Sequence, residues 1–347
     1  MNAHFSDRKK VRWGILGCGD VTEVKSGPGF RLAENSELVA VMRRNATLAA
    51  DYARRHGVAR WYDNAAQLIA DPEVDAIYIA TPPDAHLSAA LQVAASGKPA
   101  YVEKPMARTV GECDAMVAAF SERSLPLYVA YYRRALPRFV RAKQLVDSGE
   151  LGKVTSVDYR YASSAHKAEA GWRTHVASAG AGLFLDLGSH ALDLIDFLLG
   201  PLTDVHGFAS NRGHTYEAED NVVMQFRAGT VPGTATWNFA SAVAGDVCRI
   251  TGTEKILEYS VFDNVPLRLS IPGGGREEEI PHPPHVQQPL IQSVVNDLLG
   301  IATCPSTGES ARRTSRVMDH VLDAYYGGRT DAFWNRPETW PGLVQRV

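Results

Sequence analysis

Short apolar runs alternate with amphipathic stretches along the first third of the chain. Val11–Leu16, Leu38–Val41, Ala76–Ala80, Ala100–Val102 and Leu127–Ala130 read as buried strands, and between them Leu48–His56, Ala85–Ala95 and Val110–Phe120 carry helical patterns. That alternation predicts a parallel sheet with helical crossovers. Later the period changes. Val154–Tyr161 alternates with period two, and Asn221–Phe226, Thr234–Phe239, Val247–Ile250 and Ile256–Val261 are further strand candidates, separated by turn signals such as Ala228-Gly229 and Gly252-Thr253. Pro289–Leu299 and Ser310–Tyr325 read as closing helices. No internal repeat or low-complexity linker divides the chain, and the expected boundary lies near Ala130, giving one domain over 1–130 and a second over 131–347.

Composition narrows the classes of partner. A length of 347 residues suits about two domains, and 45% hydrophobic with 22% charged residues is ordinary for a soluble globular protein. The net charge of −3 arises from 36 basic and 39 acidic residues without long single-sign blocks, so neither nucleic acid nor a membrane is an expected partner. A small molecule is. Cys18, Cys113, Cys248 and Cys304 are too few and too scattered for a disulfide framework or a paired-thiol zinc site. Met1–Lys10 lacks the apolar core of a signal peptide, and no charge-free stretch reaches the roughly 18 residues of a membrane span. The expected location is the cytoplasm.

Candidate chemistry gathers where strands end. Glu103-Lys104-Pro105 follows the fifth predicted strand, and ligands of open α/β sheets bind outside the carboxyl ends of the strands. A lysine there points at a cofactor, and Pro105 holds Lys104 extended, with a bond between them that could be cis. Gly17-Cys18-Gly19-Asp20-Val21-Thr22 follows the first strand as a phosphate loop would: Gly17 permits the tight turn, Gly19 lets backbone approach a pyrophosphate, and Asp20 and Val21 are expected to adjoin the cofactor with them. Thr22 stands in place of a third glycine, so helix and strand are expected to pack slightly further apart. Beyond the second strand an acidic residue usually meets a ribose 2′-hydroxyl, but Met42-Arg43-Arg44-Asn45 stands there instead. Arg43 and Arg44 would pair with a 2′-phosphate, which favours NADP over NAD, unless they merely flank a solvated turn. Thr81-Pro82-Pro83-Asp84-Ala85-His86 ends the fourth strand, with Asp84 a helix cap and His86 either beside the cofactor or packed.

A second constellation lies at Asp186-Leu187-Gly188-Ser189-His190. In a helix, positions 186, 190 and 193 share one face, and a carboxylate beside an imidazole orients it as a general acid or base; a satisfied buried pair is the alternative. No third and fourth metal ligand stands at a defined spacing, and His282-Pro283-Pro284-His285 reads as a rigid loop.

The order of glycine loop, Thr81-Pro82 with His86, Glu103-Lys104-Pro105 and Asp186-x-x-x-His190 resembles the glucose-fructose oxidoreductase / inositol dehydrogenase / rhizopine catabolism (Gfo/Idh/MocA) family over nearly the whole chain. The resemblance implies an N-terminal Rossmann domain and a C-terminal α+β domain built on a large, mostly antiparallel open sheet that often mediates dimers or tetramers. It also implies that Lys104 contacts the nicotinamide ribose and the substrate hydroxyl, that His190 is the general acid/base, and that Asp186 orients it or holds a substrate hydroxyl. Thr81, Pro82, His86 and Glu103 would adjoin the cofactor. Trp172 and Arg173 fall where related sugar enzymes place pocket residues, packing and a surface ion pair being the alternatives, and Tyr132 and Arg134 follow the sixth strand. Three functions are expected to compete: an NADP-dependent oxidoreductase of a sugar, inositol or polyol; a dehydrogenase or reductase of a non-sugar such as an aromatic dihydrodiol or tetrapyrrole; and a nucleotide-binding sensor without turnover. The stretch Thr330–Val347, with Trp334, Pro337, Trp340 and Pro341, is read as a tail packing on a neighbour.

Overall fold

The computed structural model describes residues 8–164, 171–330 and 332–344. Two sheets organise them. The first contains β1 (Val11–Leu16), β2 (Ser36–Met42), β3 (Arg60–Tyr62), β4 (Ala76–Ile79), β5 (Ala100–Val102) and β6 (Leu127–Val129) in the order β3-β2-β1-β4-β5-β6, parallel throughout. Strands β1, β4, β5 and β6 are mostly apolar on both faces because both faces are covered, as parallel sheets require, while the edge strand β3 is not buried. One face packs on Leu68, Val93, Met116 and Phe120. The other carries an aromatic layer: Phe30 lies 5.0 Å from Trp13 and 5.1 Å from Tyr78, and Tyr78 stacks on Tyr101 at 5.1 Å.

That second face is covered by a helix from far along the chain. Gln288–Leu298 buries Leu290, Ile291, Val294, Val295 and Leu298 in the cluster of Trp13 and Phe30, and each such side chain contributes about 1.5–3 kcal/mol. The chain therefore does not divide once near Ala130. One compact unit comprises Met1–Ala107, Glu112–Leu136 and Pro283–Ala311, and the other Arg108–Gly111, Pro137–His282 and Arg312–Val347.

The second unit is built on β7 (Val154–Ala162), β8 (Leu202–Ser210), β9 (Asn221–Ala228), β10 (Val231–Asn238), β11 (Gly245–Gly252), β12 (Ile256–Tyr259), β13 (Leu267–Ile271) and β14 (Gly274–Glu278). Their order is β14-β13-β12-β11-β7-β10-β9-β8, and only β7 with β10 is parallel. Burial alternates along β9, with Val222, Met224 and Phe226 inward. The helix Ser189–Leu199 and residues 312–326 of the helix Gly308–Tyr326 belong to the same unit. Among the described residues no helix is long and apolar enough to cross a membrane.

Candidate active site

In the first unit, the strand order reverses between β1 and β4, and the singled-out residues lie at the carboxyl ends around that point. Gly17 has φ +89°, and a Cβ there would meet the Thr81 methyl at 2.9 Å and the Ala80 carbonyl at 3.1 Å. Gly17 and Cys18 donate their amides to Met42 O at 2.9 and 3.0 Å, which ties the glycine loop to the end of β2. At Gly19 nothing but Gly17 O, 3.9 Å away, faces the Cβ position. Backbone can be approached there. Asp20 is exposed and Val21 half-buried. Thr22 does more than replace a glycine: it is buried, and its hydroxyl donates to Gly19 O at 2.7 Å while accepting from Gly19 N at 2.9 Å.

Arg43 directly follows Met42, the residue whose carbonyl anchors that loop, and is half-buried, while Arg44 is exposed. Burial pushes the Cys18 thiol up to about 11, and the nearby Arg43 charge acts in the opposite direction. Asn45, rather than either arginine, caps the following helix through Leu48 N at 3.0 Å.

Beyond β4, Pro82 is exposed and Thr81 half-buried. Asp84 does not cap the next helix, because Pro83–Ala85 winds into a short 3₁₀ turn and Ala85 takes the cap position without a side-chain bond. His86 is fully buried. Its Nε2 lies 2.7 Å from Thr81 O, and Nδ1 lies 3.1 and 3.2 Å from Pro105 O and Met106 O. The ring thereby bridges the loops after β4 and β5, and burial lowers its pKa.

Glu103 is held below the surface. Its Oε1 accepts from the Tyr78 hydroxyl at 2.5 Å and from Gln287 Nε2 at 2.6 Å, and Oε2 accepts from Lys104 N at 3.1 Å. Gln287 is fixed in turn by the Tyr101 hydroxyl at 3.2 Å. Aromatic residues beneath the sheet therefore anchor the turn that presents Lys104, whose bond to Pro105 is cis. Gln287 was not singled out from sequence; 184 residues separate it from Glu103 and no motif marks it. Tyr132 opens a 3₁₀ turn after β6, with the Arg133 guanidinium over its ring at 4.8 Å, and Arg134 donates to Pro305 O at 3.2 Å.

In the second unit, Asp186 is not on an ordinary α-helix. Phe184–Gly188 forms a π-helical turn that leads into Ser189–Leu199. Gly188 makes room for it: a Cβ there would sit 2.4 Å from Phe184, whose ring packs edge-on against Trp237 at 4.8 Å. Arg173 Nε lies 3.3 Å from Asp186 Oδ2, and its guanidinium covers the Trp172 ring at 4.8 Å. These three residues form one group. His190 is 4% exposed and meets Phe262 edge-on at 5.9 Å. Phe262 contacts Tyr161 at 5.4 Å, and Tyr161 contacts Phe239 at 5.6 Å. Burial raises the Tyr161 phenol, and the Asp186 charge adds to the rise. Tyr161 ends a predicted strand, so its site was marked without its role; Phe262 carried no signal. Asp193 is buried on the same helix. Among the described residues no group of three or more His, Cys, Asp or Glu could hold a metal ion, and His285 Nδ1 donates to Val24 O at 2.7 Å.

A parallel sheet with a glycine loop at its switch point and a lysine at its carboxyl edge, joined to an open-sheet unit, defines a dinucleotide-dependent oxidoreductase. A model of the oxidoreductase family, NAD-binding Rossmann fold, matches residues 11–131, and one of the GFO/IDH/MocA C-terminal domain matches 139–258. The chain belongs to the Gfo/Idh/MocA family of oxidoreductases and is an NAD(P)-dependent enzyme. It is 36% identical over 315 residues to Oxidoreductase P35 of Formosa agariphila, covering 89% of this chain and 98% of the relative. A trans-1,2-dihydrobenzene-1,2-diol dehydrogenase of Oryctolagus cuniculus is 30% identical over 251 residues, covering 72% and 73%. A levoglucosan dehydrogenase solved with NADH and levoglucosan has TM-score 0.80 at 21% identity, covering 90% of this chain and 96% of that one, a likeness of fold.

Proposed function

We propose that the protein is an NADP-dependent oxidoreductase that transfers a hydride between nicotinamide and a secondary alcohol or ketone of a sugar, inositol or related polyol in the cytoplasm. The observation that carries the reading is Lys104 at the carboxyl end of β5, anchored through Glu103 on the same sheet edge as the Gly17–Gly19 loop.

The residues present suit the dinucleotide. Gly17, Gly19, Asp20 and Val21 would border the pyrophosphate, Thr81, Pro82 and Glu103 the nicotinamide side, and His86 would hold the two loops together. Arg43 and Arg44 would pair with a 2′-phosphate, since a guanidinium attracts what a carboxylate repels. When bound, the nicotinamide supplies or accepts the hydride. Lys104, a cation beside the reacting oxygen, lowers the cost of negative charge as the carbonyl or alkoxide develops. His190 takes the hydroxyl proton in oxidation or returns it in reduction, Asp186 orients the imidazole or holds a neighbouring hydroxyl, and Arg173, Trp172 and Tyr132 contact the polyol.

A specific observation also favours a second reading. Tyr161, Phe239 and Phe262 give the His190 neighbourhood an aromatic wall, which suits an aromatic dihydrodiol, the substrate in the name of one relative.

The test follows nicotinamide absorbance with the purified protein against sugars, anhydro sugars, inositols and aromatic diols, with NAD and NADP supplied separately. Turnover of a polyol with NADP is expected. Turnover of aromatic diols alone would favour the second reading, and cofactor binding with no turnover would overturn both. Arg43→Asp with Arg44→Ala should move preference toward NAD by about tenfold or more, the loss of a charge-assisted pair. An unaltered ratio returns those arginines to a solvated turn.

A further inference from the structure

The described part of the tail read from sequence as packing on a neighbour, residues 332–344, packs within its own unit. Trp340 is 1% exposed, meets Tyr326 edge-on at 4.8 Å, and donates Nε1–H to Phe333 O at 3.1 Å. Phe333 meets the same tyrosine at 5.0 Å. The Arg329 guanidinium lies against both rings, 5.3 Å from Tyr326 and 4.9 Å from Phe333. This aromatic packing leaves polar tips pointing at one short stretch of backbone.

That stretch is Gly180-Ala181-Gly182, immediately ahead of the turn that carries Asp186. Arg329 donates Nη1–H to Gly180 O at 2.8 Å and Nη2–H to Arg108 O at 2.6 Å, while its Nε–H reaches Asp319 Oδ1 at 2.8 Å. Glu219 has no exposed surface, and both of its oxygens lie 3.0 Å from Gly182 N. The Tyr326 hydroxyl donates to Glu219 Oε2 at 2.5 Å. Neither position has room for a side chain. Gly180 has φ +92°, with Arg108 2.7 Å from its Cβ position, and a Cβ on Gly182 would meet Glu219 O at 2.6 Å.

Taking a carboxylate and a guanidinium out of water is costly unless their bonds are met. Gly180, Ala181 and Gly182 are themselves buried, so the Gly182 amide and the Gly180 carbonyl are not met by bulk water and need partners within the protein. Buried charges aimed at both ends of these three residues fix where the next turn begins, and the π-helical winding of Phe184–Gly188 starts there.

We propose that Glu219, Tyr326 and Arg329 are positioning residues of the active site, holding Gly180–Gly182 so that Asp186 and His190 stand in register for proton transfer. The inference rests on the reading of Asp186 and His190 given above. It makes the C-terminal segment part of the catalytic apparatus without touching substrate.

The test compares Tyr326→Phe, Glu219→Gln, His190→Ala and the double variants carrying His190→Ala, using NADP and the best substrate of the panel above. Tyr326→Phe removes one oxygen and keeps the ring packing. It should lower kcat by roughly tenfold to a hundredfold, as a small misplacement of reacting groups does, with KM for NADP changed by less than about twofold. Glu219→Gln should act in the same direction, and it keeps an acceptor for Gly182 N if Tyr326→Phe fails to fold. Each effect should vanish in the His190→Ala background. Unchanged kcat in both single variants overturns the proposal. So does a loss of kcat that persists in full without His190, because the network would then act by another route. If His190→Ala itself costs no turnover, or the unaltered protein turns nothing over, the reading of the site fails first and takes the proposal with it.

Discussion

At the scale of the residue, the firmest expectation concerns Lys104. Its backbone amide bonds Glu103, and Glu103 is fixed by Tyr78 and Gln287, so the ammonium is presented by a turn that cannot swing. Lys104→Met keeps the length of the side chain and removes the charge. Hydride transfer in single-turnover measurements should fall below detection, while NADP affinity in a direct titration stays within about tenfold, since on the proposed reading the phosphates would be held by the glycine loop and not by Lys104. Retained transfer would sink the assignment. Lys104 was legible because Glu103-Lys104-Pro105 follows an apolar triplet and strand ends are where α/β sheets do chemistry. Its support was not. Gln287 reaches Glu103 only after the chain has built a second sheet, and no local pattern encodes such a return. His86 was legible as a residue of interest with two readings open, and its three carbonyl contacts show a buried ring holding loops together.

At the scale of the element, Gly188 decides how Asp186 is presented. Inside a helix a change from Gly to Ala is ordinarily stabilising by about 1 kcal/mol. Here the added methyl would fall 2.4 Å from the Phe184 ring, which is buried against Trp237 and has nowhere to go. Overpacking of this kind costs about 1–3 kcal/mol. Gly188→Ala should therefore lower the melting temperature and also kcat, since relief requires the π turn to rewind and carry Asp186 with it. Equal or higher thermal stability with unaltered kcat would show that the turn does not depend on this glycine. The sequence places positions 186, 190 and 193 on one face if their segment is helical, and cannot reveal the wider turn, because spacings of three and four residues do not distinguish the two windings. The same limit explains the strands. Runs such as Ala76–Ile79 are buried on both faces and announce themselves, whereas β3 has three residues and β8 is exposed along much of both faces, so neither carries a clean period.

For the whole molecule, one row of side chains across the second sheet is left largely exposed by the described residues. Val247 stands opposite Arg160, Arg160 opposite Thr236, Thr236 opposite Val223, and Val223 opposite Phe208. Phe208 is 60% exposed, Val223 43% and Val247 40%. Apolar side chains in register on an open sheet mark an interaction surface, and a net charge of −3 offers little repulsion between copies. The occupant we propose is a second copy, giving a homodimer or a homotetramer built from such dimers. Phe208→Glu with Val247→Glu places charge at the two ends of the row, far enough apart to avoid direct repulsion within one sheet. Because both sites are exposed, the folded chain should lose no more than about 0.5 kcal/mol from each. Sedimentation equilibrium should then show a monomer where the unaltered protein shows a multiple of 37.8 kDa. A monomeric unaltered protein, or a variant of undiminished mass, would mean that this row is covered by something other than another copy. The difference matters for function, because an interface on this sheet would rest on the layer whose inward side carries Trp237, the residue against which Phe184 and the Asp186 turn are set.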